Sequence, residues 1–180
     1  MTFSNVNLNY RGNAILNNPI TTKDGSIEYL STNTPAFDDG LLTNGDFENG
    51  SDAWLIGIDD SSSAPVVTDA GNTYYSVNVT AAGQPYDVNT SQKVEIIQGN
   101  TYTLTFDAWS DVNRPILAGI GLSADPWSND SKTVEITPTR TTYSVTLSAA
   151  EFGASDARVI FDLGAAVGMV NLDDVSLSSN

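Results

Sequence analysis

From Leu41 to the C-terminus the chain is a succession of short alternating runs, and no long stretch carries an apolar stripe at helical period. The predicted strands are Leu41–Phe47, Ala53–Ile58, Ala64–Thr68, Thr73–Thr80, Gln92–Gln98, Thr101–Trp109, Ile116–Leu122, Lys132–Ile136, Thr141–Ser148, Arg158–Leu163 and Met169–Leu177. Turn residues punctuate the gaps, and Ala149–Phe152 is long enough for a single helical turn. Spacing of this kind predicts an all-β, antiparallel β-sandwich.

The clearest strand lies in Gly99–Asp111. Read at a period of two, Tyr102, Leu104, Phe106 and Ala108 fall on one side, and Thr103, Thr105, Asp107 and Trp109 on the other. The first is a core face. The second is polar until it ends in a large ring beside a carboxylate, and it predicts the floor of a shallow groove for something flat and polar. Further inward sets are Tyr75, Val77 and Val79; Tyr143, Val145 and Leu147; Val159, Phe161 and Leu163; and Val170, Leu172, Val175 and Leu177. The step from Leu172 to Val175 breaks the alternation by one residue, which predicts a β-bulge near Asp173 and Asp174.

Residues 1–40 read differently. Weak alternation in Phe3–Leu16 and Gly25–Leu30 is interrupted by Asn17-Asn18-Pro19, Lys23-Asp24-Gly25 and Thr34-Pro35, which are turn and linker signals. The expected organisation is an N-terminal extension or linker over 1–40 and one sandwich over 41–180. The residues leave open whether the extension crosses the sandwich, ends a preceding module or is a linker.

With 22 acidic and 7 basic residues and a formal net charge of −15, the chain has no Lys/Arg cluster for phosphates. Nucleic acid is excluded as a partner, and an anionic membrane surface is disfavoured. The absence of Cys and His removes disulfides, thiolate nucleophiles, zinc–thiolate sites and the imidazole base. Oxygen ligands remain, which suit calcium or magnesium. No apolar run reaches the length of a membrane span or a signal-peptide core, so Met1 is expected to open an excised domain or a mature fragment.

Three motifs in order carry a resemblance. They are Leu42-Thr43-Asn44-Gly45-Asp46-Phe47-Glu48-Asn49-Gly50 followed by Trp54; Gly99-Asn100-Thr101-Tyr102-Thr103-Leu104-Thr105-Phe106-Asp107-Ala108; and Arg158-Val159-Ile160-Phe161-Asp162-Leu163-Gly164 followed by Val170-Asn171-Leu172-Asp173-Asp174-Val175-Ser176-Leu177. Together they resemble the carbohydrate-binding modules of family 4 and their relatives in families 9, 16 and 22. The resemblance implies a jelly-roll β-sandwich that binds a soluble polysaccharide along one sheet without catalysis. It implies a structural Ca²⁺ near the paired termini, held by Asp46, Glu48, the turn at Gly71, Asp173 and Asp174. In the groove it implies polar side chains at Gln92, Arg158 and Asp162, and aromatic rings at Trp127 and at Tyr86 in the Gly83–Asn89 loop. Members often carry an aromatic soon after the position of Trp54. This chain has Ile56 and Gly57 there, and Trp54 is assigned to the core.

On this reading Trp109, Trp127 and Tyr86 stack on sugar rings, while Gln92, Asp107, Arg158 and Asp162 bind hydroxyls. Aromatic stacking of ~150–250 Å² is worth several kcal/mol at most, at ~25 cal/mol/Å². The expected ligand is a β-glucan, with laminarin-type β-1,3-glucan ahead of mixed-linkage glucan, cellulose oligomers or xylan. The expected setting is extracellular or on a bacterial cell surface, within a larger multi-modular protein. Two other classes compete. One is a structural or adhesive sandwich of a surface protein. The other is a glycoside hydrolase using Asp107 with Asp162, or a lyase, although no local motif marks a carboxyl acid and a His base is absent.

Overall fold

The computed structural model of the protein describes residues 22–23, 26–27 and 36–180. The chain divides into two units, Met1–Ala36 and Phe37–Asn180. In the first, β1 (Thr22–Lys23) pairs antiparallel with β2 (Ser26–Ile27), and β2 lies inside one of the two N-terminal stretches of weak alternation, Gly25–Leu30. The other, Phe3–Leu16, lies outside the described residues.

The second unit contains β3 (Val66–Asp69), β4 (Asn72–Val79), β5 (Asn89–Lys93), β6 (Thr101–Trp109), β7 (Arg114–Gly121), β8 (Asn129–Ile136), β9 (Thr141–Ser148), β10 (Arg158–Asp162) and β11 (Gly168–Ser179). They form two antiparallel sheets, ordered β5-β10-β7-β8 and β3-β4-β11-β6-β9. Apart from the hairpins β3–β4 and β7–β8, successive strands switch sheets, as in a jelly roll. Among the described residues no helix is long and apolar enough to cross a membrane.

Alternation explains the core. On β6, Tyr102, Leu104, Phe106 and Ala108 are buried, and each intervening residue is partly exposed. Phe106 meets Phe161 of the facing sheet edge-on, with centroids 5.0 Å apart at 79°. Trp54 is fully buried, 5.0 Å from Phe47, and its indole N–H donates to the Asn44 carbonyl at 2.9 Å. Truncating either Phe106 or Trp54 to alanine costs ~3–5 kcal/mol. The bulge falls on β11 between Asp173 and Ser176, where Asp174 takes φ +47°.

Two predicted strands are absent. Leu41–Phe47 and Ala53–Ile58 form turns and isolated bridges, because Asn44, Phe47, Gly50, Ala53 and Gly57 all take positive φ. The Asn44 side chain organises this knot, donating to the Gly50 and Asp52 carbonyls at 3.0 Å each and accepting from the Asn49 N–H at 2.9 Å. Such local side-chain bonds compete with a ladder. Behind the knot, the Val175 N–H donates to the Gly45 carbonyl at 2.8 Å. A β-carbon at Gly45 would stand 1.9 Å from the Val175 oxygen, so only glycine permits that approach. The predicted Gln92–Gln98 strand is also displaced: β5 lies at Asn89–Lys93, and Ile96 instead forms an isolated bridge with Ala154.

Candidate functional site

The shorter sheet carries a trough. β10 sends Val159 and Phe161 into the core, so Arg158, Ile160 and Asp162 face outward. On one side, β5 sets Lys93 opposite Arg158, Ser91 opposite Ile160 and Asn89 opposite Asp162. On the other, β7 sets Gly121 opposite Arg158 and Gly119 opposite Ile160. A β-carbon at Gly119 would lie 2.2 Å from Ser131 Oγ on β8, so this position must stay bare, and the floor stays low. The resulting cavity is about 480 Å³ and is lined by Tyr86, Asn89, Gly121, Trp127, Asn129, Arg158, Ile160 and Asp162. From Asp162 to Arg158 it follows one strand for about 13 Å, at ~3.3 Å per residue.

A ring stands at each end. Tyr86 sits on the 3₁₀ turn Pro85–Asp87, which is closed by the Gln84 N–H donating to the Asp87 carboxylate at 2.7 Å. The Asn89 amide fastens this turn to β5 by donating to the Tyr86 carbonyl at 2.7 Å. Trp127 takes φ +59°, and its carbonyl accepts from the Asn129 amide at 3.0 Å. Both rings are exposed, Tyr86 by 62% and Trp127 by 47%. The Arg158 guanidinium lies 5.8 Å from the Trp127 ring centroid. The segment after Trp54 walls the β5 side: Leu55 bridges to Ser91, Ser91 Oγ donates to the Gly57 carbonyl, and Lys93 grips Asp60 at 2.8 Å.

The floor is chemically unsaturated. Asn89 Oδ1, Asp162 Oδ1 and Arg158 Nε are buried without a hydrogen-bond partner among the described residues. Such groups are rare because desolvation without a partner costs ~1–3 kcal/mol each. Burial pushes the Asp162 carboxyl above the usual aspartate range, and the Arg158 charge pulls it back. Burial likewise lowers Arg158, opposed by Asp162. Two acceptors at the Tyr86 end and one donor at the Trp127 end match a ligand rich in hydroxyls, which both donate and accept.

Tyr86, Trp127, Arg158 and Asp162 are thus gathered as expected, whereas Trp109, Asp107 and Gln92 are not. Trp109 and Asp107 lie on the outer face of the other sheet, since β6 belongs to it. There Arg140 stands 5.0 Å over the Trp109 ring and Tyr74 packs at 4.9 Å. Arg140 also pairs with Asp107 at 2.7 Å, Asp173 at 3.0 Å and Asp174 at 2.8 Å. Asp107 and Asp162, on opposite sheets, do not form the carboxylate pair of a hydrolase. Gln92 alternates inward with Thr90 and is 3% exposed. Its side chain accepts from the Thr43 N–H at 2.7 Å and donates to the Thr43 carbonyl at 2.8 Å.

The residues aligned with calcium do not fit an ion as they are arranged. Glu48 accepts from the Thr73 N–H at 2.9 Å, and Asp46 from the Glu48 N–H at 3.3 Å. Gly71 takes φ +89° in the turn between β3 and β4. Asp173 accepts from the Asn72 amide at 2.8 Å, the Asp174 N–H at 2.9 Å and Arg140, donors that satisfy a carboxylate and oppose a cation. Among the described residues no three acidic side chains gather to hold a metal.

Sequence reasoning missed Asn89, Asn129, Ile160 and the glycines. The alternation of β10 marks Ile160, two residues from each charge. β5 reads Asn-Thr-Ser-Gln-Lys, polar at every position, so nothing in it reveals which face is which.

A jelly roll whose one sheet bears a polar trough between exposed rings defines a carbohydrate-binding module. The family model described as "Carbohydrate binding domain", CBM_4_9, matches residues 39–168, and the chain belongs to that family. A solved structure described as CBM4 is similar at 25% identity, with a TM-score of 0.60, covering 77% of this chain and 99% of that one. The N-terminal cellulose-binding domain of Cellulomonas fimi β-1,4-glucanase C is also 25% identical, with a TM-score of 0.55, covering 81% and 98%. An arabinose-bound α-L-arabinofuranosidase shares the fold at 14% identity and a TM-score of 0.61, over 79% of this chain but 27% of its own. No curated protein matches. The sandwich is a carbohydrate-binding module, and its partner is a polysaccharide.

Proposed function

We propose that the trough holds a β-glucan chain, with laminarin-type β-1,3-glucan the first ligand, in an extracellular or cell-surface bacterial setting and as one module of a larger protein. One observation carries this reading: two exposed rings bracket a floor with buried, unpartnered donor and acceptor atoms. A β-linked pyranose offers an apolar face to Trp127 and Tyr86, and equatorial hydroxyls to Asn89, Arg158 and Asp162. A trough about 13 Å long, with a ring at each end, favours a curving chain over a long flat ribbon. The glucanase-attached relative supports a glucan and a modular setting.

The test is intrinsic Trp fluorescence titrated with laminarin, xylan and cellohexaose. Trp54 is buried in the core and Trp109 lies on the far sheet, so a saturable change reports Trp127. The expected result is saturation with laminarin, lost in Trp127→Ala. A flat trace with all three sugars, confirmed by calorimetry, overturns the β-glucan reading.

A further inference from the structure

We propose that the Trp127 end of the trough is a subsite for an acidic sugar, a pyranose bearing a carboxylate within an otherwise neutral chain. This rests on the reading of the trough as a polysaccharide site and adds charge to it. The chain has 22 acidic residues and 7 basic ones, so two cations side by side call for an explanation. Arg158 and Lys93 stand directly opposite one another on β10 and β5, both on the face of the sheet that carries the trough. Like charges across a ladder weaken the pairing. Lys93 is offset by Asp60, which it meets through both carboxylate oxygens at 2.8 Å. Arg158 has no such offset: it joins none of the ion pairs among the described residues, and its Nε is buried and unpartnered. Asp162 attracts it through space, but sits four residues further along the strand without bonding it.

The guanidinium lies over the Trp127 ring, 5.8 Å from its centroid, so a sugar packed against that ring brings its substituents within reach of the Arg158 fork. A carboxylate meets that fork with two parallel hydrogen bonds, where a hydroxyl makes one. At the other end the free atoms are acceptors only, Asn89 Oδ1 and Asp162 Oδ1, and they call for hydroxyl donors and repel a carboxylate. A polymer acidic at every residue would press one charge on Asp162 and meet the field of a −15 protein. The ligand class is therefore a neutral main chain with sparse uronic-acid or equivalent carboxylate groups.

The experiment compares pairs that differ only in the carboxylate: laminarin with its sparsely C6-oxidised form, and glucuronoxylan with its carboxyl-reduced form. Each is titrated calorimetrically into the full chain. The expected result is about tenfold tighter binding of the carboxylated member in at least one pair, ~1.4 kcal/mol. Arg158→Gln brings the two members within about twofold, and Arg158→Lys retains part of the preference. Equal binding of both members to the unaltered protein, or a preference that survives Arg158→Gln, overturns the acidic subsite and leaves the polysaccharide reading standing. Binding of no member of either pair overturns both.

Discussion

Removing the Trp127 ring is the sharpest test of which aromatic meets the ligand. Its side chain is 47% exposed. A Trp can bury ~150–250 Å², so roughly 70–120 Å² is open to a sugar face. At ~25 cal/mol/Å², covering half to all of that area stabilises the complex by roughly 1–3 kcal/mol. Trp127→Ala is therefore expected to weaken glucan binding about 5- to 150-fold. Fold stability should move little, because the ring packs on the surface beside Arg158 and not in the core. The matched control is Trp109→Ala. That ring supports Arg140 and Tyr74, so its loss should lower Tm and leave affinity within twofold. Calorimetry with laminarin, read beside thermal melts of both variants, separates the two effects. If Trp127→Ala bound within twofold of the unaltered protein, or Trp109→Ala lost as much affinity, the trough would be the wrong face.

Other consequences concern the two places where side chains proved to be structural. Burial first, and the neighbouring Asp174, raise the Asp173 carboxyl to about 6, against the bonds from Asn72, Asp174 and Arg140. The native state thus binds a proton more readily than the unfolded chain between about pH 4 and 6, so stability falls as pH rises through that window. A shift from 3.8 to about 6 corresponds to roughly 3 kcal/mol. Melts across pH 4 to 7 should show this slope, and Asp173→Asn should remove most of it; an unchanged slope would assign it to general acid repulsion. Gln92→Ala leaves the Thr43 N–H and carbonyl without partners, at a cost of about 2–4 kcal/mol in urea unfolding, with glucan affinity unchanged. Arg140 bridges Asp107, Asp173 and Asp174 and fills the space between them, so millimolar calcium and a chelator should give the same Tm. A clear rise with calcium would mean that this cluster rearranges to admit the ion.

Inward and outward were legible wherever the two faces differ in polarity. β6 and β9 run over the predicted residues, Thr101–Trp109 and Thr141–Ser148, and the bulge falls beside the broken alternation of β11. Alternation does not say which of two sheets a strand joins, because that is decided by non-local pairing. Asp107 and Asp162 are both outward residues, on β6 and β10, yet they lie on opposite faces of the sandwich. β5 lacks even the local signal, and Gln92, which the resemblance places in the groove, turns toward the core. The early turns were hidden because Leu42, Phe47 and Trp54 are core residues held by irregular backbone. Their apolar spacing mimics a strand, while Asn44 and the positive-φ positions decide the structure.

The two outer faces can be told apart by unmet hydrogen-bonding capacity better than by aromatic content. Each carries a Trp beside an Arg at similar distance, 5.0 Å for Arg140 over Trp109 and 5.8 Å for Arg158 over Trp127. On the five-stranded sheet the Arg is spent on three carboxylates, and Asp107 also accepts from Thr142. A sugar arriving there would have to break charge-assisted bonds before making its own. On the four-stranded sheet the Arg, the Asn and the Asp each keep a buried atom unpaired, and the desolvation cost of those atoms has been met in folding. A hydroxyl that reaches them gains a bond without breaking one. That asymmetry favours the trough as the proposed binding face and the Arg140 cluster as a structural staple, although the two look alike in sequence.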